Sequence, residues 1–140
     1  MPIGIYKIQD GNNIVAGDFV SVCLPDQFAE IGIERGYITH GNCKNGSSPL
    51  IKEVIAVPGD RVAVQNNQII VNGITFLAPR FTDDRKGNLI SKIKDGDYGI
   101  TNLYWVYGEH DKTYSWDSRY FGGIPKTDII GKAKPILLFN

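Results

Sequence analysis

The chain has 140 residues, with 15 Lys and Arg against 15 Asp and Glu and a formal net charge of zero. That length predicts one domain over residues 1–140, and the balanced charge gives neither an electrostatic footprint for nucleic acid nor a polybasic patch for a membrane surface. The longest stretch without charge, residues 62–79, holds Gln65, Asn66, Asn67, Gln68, Asn72 and Gly73, which an apolar bilayer span excludes. No basic, apolar and small-residue succession opens the chain, so an export signal or anchor is expected to lie outside it. Sixteen Gly and seven Pro beside 42% hydrophobic residues predict a turn-rich β protein.

In chain order, Ile3, Ile5, Tyr6 and Ile8 form a first apolar strand, residues 10–13 a turn, and residues 19–24 a second strand, expected to pair with the first. Phe28, Ala29, Ile31 and Ile33 fit a short helix stopped by Gly36, with Gly32 as an unfavourable residue inside it. Residues 41–49 are a loop of turn formers leading into a strand over residues 50–57. Pro58-Gly59-Asp60 is a turn, residues 61–65 and 68–71 are two strands with a hairpin tip at Asn66-Asn67, and Asn72-Gly73 opens another turn. Residues 78–94 read as a projecting loop or ribbon without chemistry. Residues 98–107 and 129–139 read as core strands, separated by a polar, aromatic segment.

Two cysteines, Cys23 and Cys43, cannot make a metal site alone, and His40 and His110 add little to one. Composition is equally compatible with two buried thiols and with one disulfide. Within the strand at residues 50–57, alternation puts Lys52 on one face with Leu50, Val54 and Ala56, and Ile51, Glu53, Ile55 and Val57 on the other. An isolated lysine there is ordinarily an edge-strand or snorkelling residue. Among apolar neighbours, however, an amine loses its proton more easily, and a neutral lysine can act as a general base. Asp117 and Arg119, two residues apart, read as a structural ion pair, Ser115 and Ser118 as turn residues, and the opening residues Met1 and Pro2 as the start of an edge strand.

Three segments together carry a resemblance: Met1-Pro2-Ile3-Gly4-Ile5-Tyr6, Lys52 followed by Pro58-Gly59-Asp60, and Ser115-Trp116-Asp117-Ser118-Arg119-Tyr120-Phe121-Gly122. In this order they resemble the type I signal peptidases, which use a serine nucleophile and a lysine base, and most of all the branch serving conjugal transfer. Where the family's last motif begins Gly-Asp-Asn, this chain has Gly108-Glu109-His110. The resemblance implies a mainly β fold of coiled antiparallel sheets forming a partly open barrel with one short helix. It implies Lys52 as general base, Ser115 as the group that positions its amine, and Asp117 with Arg119 as the brace of the loop carrying Ser115. The region around Met1 and Pro2 would meet the substrate. The nucleophilic serine of this branch directly precedes the Met-Pro pair, so it and the membrane anchor before it are expected upstream of Met1, and residues 1–140 alone are expected to be inactive. The implied substrate is a pilin-like or other exported precursor, the implied location the periplasmic face of the inner membrane, and no metal or cofactor is implied. That placement in turn implies a Cys23–Cys43 disulfide. Two other readings compete: a self-cleaving repressor domain, which also pairs serine with lysine, and a non-catalytic module holding peptide by strand addition.

Overall fold

The computed structural model describes residues 4–84, 86–108 and 116–138. The described elements are β1 (Gly4–Gln9), β2 (Phe19–Val22), α1 (Asp26–Arg35), β3 (Leu50–Ala56), β4 (Arg61–Gln65), β5 (Gln68–Val71), β6 (Ile74–Leu77), β7 (Gly96–Ile100), β8 (Trp105–Tyr107), α2 (Ser118–Phe121) and β9 (Ile129–Leu138), the last preceded by a 3-10 turn at Lys126–Asp128. They form two antiparallel sheets, ordered β1-β9-β2-β3-β8 and β6-β5-β4-β7, and neither closes into a barrel.

Two clusters of buried side chains fill the structure. The first gathers Val20 and Val22 of β2, Val54 of β3, Val106 of β8, Ala29 of α1 and Phe121 of α2. The second gathers Ile55 and Ala56 of β3, Trp105 and Tyr107 of β8, and Val62, Val64, Ile69 and Val71 of the four-stranded sheet. Strict alternation would put Ala56 with Val54. A register shift between Val54 and Ala56 in the pairing with β8 breaks the alternation, so β3 delivers two successive residues to the second core. The bulge therefore lets a single strand serve both cores.

The short turns follow their sequence signals. Asn66 at φ 55° turns the β4–β5 hairpin, and Asn72 and Gly73 at φ 50° and 82° turn the β5–β6 hairpin, both in the left-handed backbone region that Asn and Gly tolerate. Helix α1 carries Asp26 in its first turn and Arg35 in its last, complementing its dipole, and Gly36 ends it at φ 77°.

Three expectations are corrected. β1 and β2 are not neighbours, because β9 pairs with both and lies between them; nine residues separate the two strands, too many for the tight turn that favours direct pairing. The run at residues 98–107 is two strands in different sheets, β7 and β8, separated by a turn in which the Thr101 Oγ1 accepts the Leu103 N–H at 3.0 Å. Residues 78–94 do not simply project. Arg80 donates to the carbonyls of Asn66 and Ile93 and pairs with Asp95, and Arg35 of α1 donates to the Leu89 carbonyl. The segment is an exposed strap fastened to the body at several points.

Cys23 and Cys43 form a disulfide with Cα atoms 5.8 Å apart, 20 residues apart in sequence, so that α1 lies inside the closed loop. Asn45 reinforces the closure, its Nδ2 donating to the Leu24 carbonyl at 2.9 Å and to Asp26 at 3.2 Å. Reduction is expected to lower stability by about 3 kcal/mol, the chain entropy of a loop of that size, measured as the shift in urea midpoint with and without reductant. Thiol titration under denaturing, non-reducing conditions should detect no thiol; two would overturn the assignment.

Candidate active site

Lys52 lies in β3, opposite Val20 of β2. Leu50 and Val54 flank it on its own face and pack into the first core, where Val20 and Val54 are fully buried. Lys52 itself is half-buried.

The Pro58-Gly59-Asp60 turn fixes the far end of this strand. Gly59 has φ 101°, a conformation strained for any residue with a Cβ. Asp60 is the clasp: its Oδ2 accepts the Val57 N–H at 2.9 Å and its Oδ1 accepts Asn72 Nδ2 at 3.0 Å. Its backbone carbonyl accepts the Thr101 N–H at 2.8 Å. The turn therefore couples the end of β3 to both the β5–β6 hairpin and the segment after β7.

On the other side of β3 stands β8, with Val54 opposite Val106 and Glu53 opposite Tyr107. Among the described residues β8 is the last strand of its sheet, and side-chain oxygens at the start of α2 take one backbone donor within it and another just beyond its end. Ser118 Oγ accepts the Val106 N–H at 2.8 Å, and Asp117 Oδ2 accepts the Gly108 N–H at 2.8 Å. The second bond ties Gly108 to Asp117, nine positions later in the chain.

Asp117, Ser118 and Arg119 are each 0% exposed, and such burial requires that both charges be matched. Arg119 Nε and Nη2 donate to the two carboxylate oxygens of Asp117 at 2.8 and 2.9 Å, a bidentate pair. Asp117 also caps α2 by accepting the Arg119 N–H at 3.0 Å. Arg119 Nη1 donates to the Pro79 carbonyl at 3.1 Å, and the guanidinium lies 5.4 Å from the Tyr107 ring centre and 5.8 Å from that of Tyr120. Burial opposes the guanidinium charge, but the hydrogen bonds and charge of Asp117 outweigh it and raise the pKa of Arg119.

Residues 4–138 match the signal peptidase, peptidase S26 family. The chain belongs to that family. It is 32% identical over 142 residues to the conjugal transfer protein TraF of Agrobacterium fabrum C58, covering 99% of this chain and 78% of the relative. It is 32% identical over 92 residues to signal peptidase I V of Bacillus subtilis 168, covering 59% and 54% of the two chains. A solved signal peptidase I from Enterococcus faecalis V583 superimposes with TM-score 0.44 at 19% identity, over 88% of this chain and 98% of that one.

Of the residues singled out in this signal peptidase sequence, the fold places Lys52 on β3 and the buried Asp117–Arg119 pair beside the adjoining strand β8. Met1, Pro2 and Ser115 lie outside the described residues, as do Glu109 and His110. Along the sheet, Gln9 at the end of β1 is level with Lys132, Val20 and Lys52, so Gly4, five residues earlier, lies further along the ribbon that β1 makes with β9.

Sequence reasoning missed how the peptidase domain holds Trp116, the residue between Ser115 and Asp117. Its ring packs against Phe28, Tyr37 and Phe121, with ring centres 6.4, 5.2 and 5.6 Å away. The available signal was Gly32, a helix-weakening residue inside α1: a Cβ there would stand 2.8 Å from Trp116 Cζ3.

Tyr37 Oη donates to Asp84 Oδ2 at 2.7 Å, joining the strap to the end of α1. Burial disfavours the Asp84 carboxylate, but hydrogen bonds from Tyr37, Asn88 and the Lys86 N–H outweigh it and hold its pKa well below the usual range. Burial, then the bond to Asp84, pushes the Tyr37 phenol up. The signs fix a window. A depressed carboxyl contributes above about 3.9 and loses its contribution as pH falls through its folded value; a raised phenol contributes below about 10 and loses its contribution as pH rises through its folded value. Amide signals of the strap are therefore expected to hold their positions between roughly pH 4 and 10. Release of the strap inside that window would show that the Tyr37–Asp84 bond does not secure it.

Proposed function

We propose that this domain is the catalytic part of a serine–lysine signal peptidase that processes a pilin-like precursor during conjugation. Its place would be the periplasmic face of the inner membrane, with an anchor and the nucleophilic serine immediately upstream of Met1. The observation that carries the reading is the half-buried Lys52 on a strand whose neighbour is closed off by the fully buried Asp117–Arg119 pair.

In this mechanism the serine Oγ attacks the scissile carbonyl carbon while Lys52 Nζ takes its proton. The peptide C–N bond breaks, Lys52 returns the proton to the leaving amine, and water, activated by the same amine, hydrolyses the acyl-enzyme. Backbone N–H groups beside the serine stabilise the oxyanion, and Pro2, lacking one, is not among them. Ser115 would hold the neutral amine by a hydrogen bond, with Asp117 and Arg119 fixing the loop that carries it. The precursor would bind extended, adding its backbone to a sheet edge near Met1 and Pro2.

The test is cleavage of a pilin-like precursor by the full-length protein, by its serine-to-alanine variant and by residues 1–140 alone. Only the first is expected to cleave. Cleavage by residues 1–140 would place the nucleophile inside them and overturn the assignment. Binding of precursor without cleavage by the full-length protein would favour a peptide-holding module.

A further inference from the structure

Helix α1 contributes no residue to the chemistry proposed above, yet it carries a specific accommodation for the segment that does. Gly32 leaves room for the Trp116 ring: a Cβ there would lie 2.8 Å from Trp116 Cζ3 and 2.9 Å from Ile38 Cγ1. The Gly32 carbonyl accepts the Tyr37 N–H at 2.7 Å, which turns the Tyr37 ring onto the other contact of Trp116. Tyr37 is then held at its far end by Asp84, whose carboxylate also accepts the N–H groups of Lys86 and Asn88. The disulfide and Asn45 pin the region before and after the helix. Trp116 packs against the same core cluster as Leu50 and Val54, the two neighbours of Lys52 on its face.

We propose that Trp116 is a positioning residue of the active site, seated by Gly32 and Tyr37, so that α1 braces Trp116 and Asp117, where α2 begins, against the strand of Lys52. The proposal rests on the serine–lysine reading. A tryptophan that merely fills the core would lower stability on replacement and leave turnover per folded molecule unchanged. A positioning residue lowers turnover in molecules that remain folded, since a displacement of about 1 Å near reacting groups can reduce rate on the order of 100-fold.

The experiment compares Gly32→Ala, Trp116→Leu and the conservative Trp116→Phe in the full-length protein, with the folded fraction measured by circular dichroism below each melting temperature. In Gly32→Ala and Trp116→Leu, kcat is expected to fall on the order of 100-fold while KM stays within about twofold, and Trp116→Phe is expected to recover most of the loss. Wild-type kcat in folded Trp116→Leu, or a loss confined to KM, overturns the proposal. If Gly32→Ala does not fold, the Leu and Phe pair decides alone. A second arm needs no serine: in residues 1–140, the pH titration of the Lys52 amine and the Gly108 amide signal are followed by NMR in wild type and Trp116→Leu. Both are expected to move, and unchanged signals overturn the brace. A wild-type full-length protein that cleaves nothing would defeat the peptidase reading and leave this second arm to judge the brace by itself.

Discussion

Alanine in place of Lys52, in the full-length protein with its serine, is expected to reduce precursor cleavage on the order of 10²–10⁴-fold, the range associated with losing a general base. The proposed mechanism gives the serine proton no other acceptor, so the effect should fall on kcat. Lys52→Arg should be no better, because a guanidinium keeps its proton at any working pH. The same requirement means that the Lys52 amine must titrate below exposed lysines to serve at neutral pH, which site-resolved NMR can measure in residues 1–140. Turnover surviving in Lys52→Ala would remove this residue from the mechanism.

The second large effect is structural. Removing either partner of the Asp117–Arg119 pair breaks a bidentate ion pair at a position that is 0% exposed. Arg119→Ala or Asp117→Ala is expected to lose about 3–5 kcal/mol, a large part of the 5–15 kcal/mol typical of a folded domain. Asp117→Ala also removes the acceptor of the Gly108 N–H. Replacing both by apolar residues of similar size, Asp117→Leu with Arg119→Met, should be less harmful than either single alanine change, because neither charge is then stranded. Urea unfolding of these three variants beside wild type measures this, and single variants within about 1 kcal/mol of wild type would show that the pair is not the brace described.

Local chemistry made part of this legible. The Asn66-Asn67 tip, the helix ended by Gly36 and the face Lys52 shares with Leu50 and Val54 were readable because each depends on turn preference or periodicity within a few residues, whereas the bulge that takes Ala56 off that face was not. Asp117 and Arg119 were readable as a pair from their spacing, but nothing local says that both are fully buried. The neighbours of β1, the division of residues 98–107 between two sheets and the fastening of the strap to Tyr37 depend on partners dozens of residues away, for which the local pattern carries no signal. Gly32 is intermediate: it registers in the sequence only as a defect of the helix, and its reason is Trp116, 84 positions later.

The position of β9 has a consequence for how the chain acquires its shape. The last of the described strands lies between the first two, so β1 has no partner in its sheet until residues 129–138 arrive. Contacts of such sequence separation form late and slow the search for the native state. A growing chain can close the β4–β5–β6 meander early, but the sheet that carries Lys52 must wait for residues 129–138. Nascent chains therefore remain without a completed sheet around the proposed base until residues 129–138 have been made, and during that interval the unpaired edges of β1 and β2 are open to chaperones and to other strands.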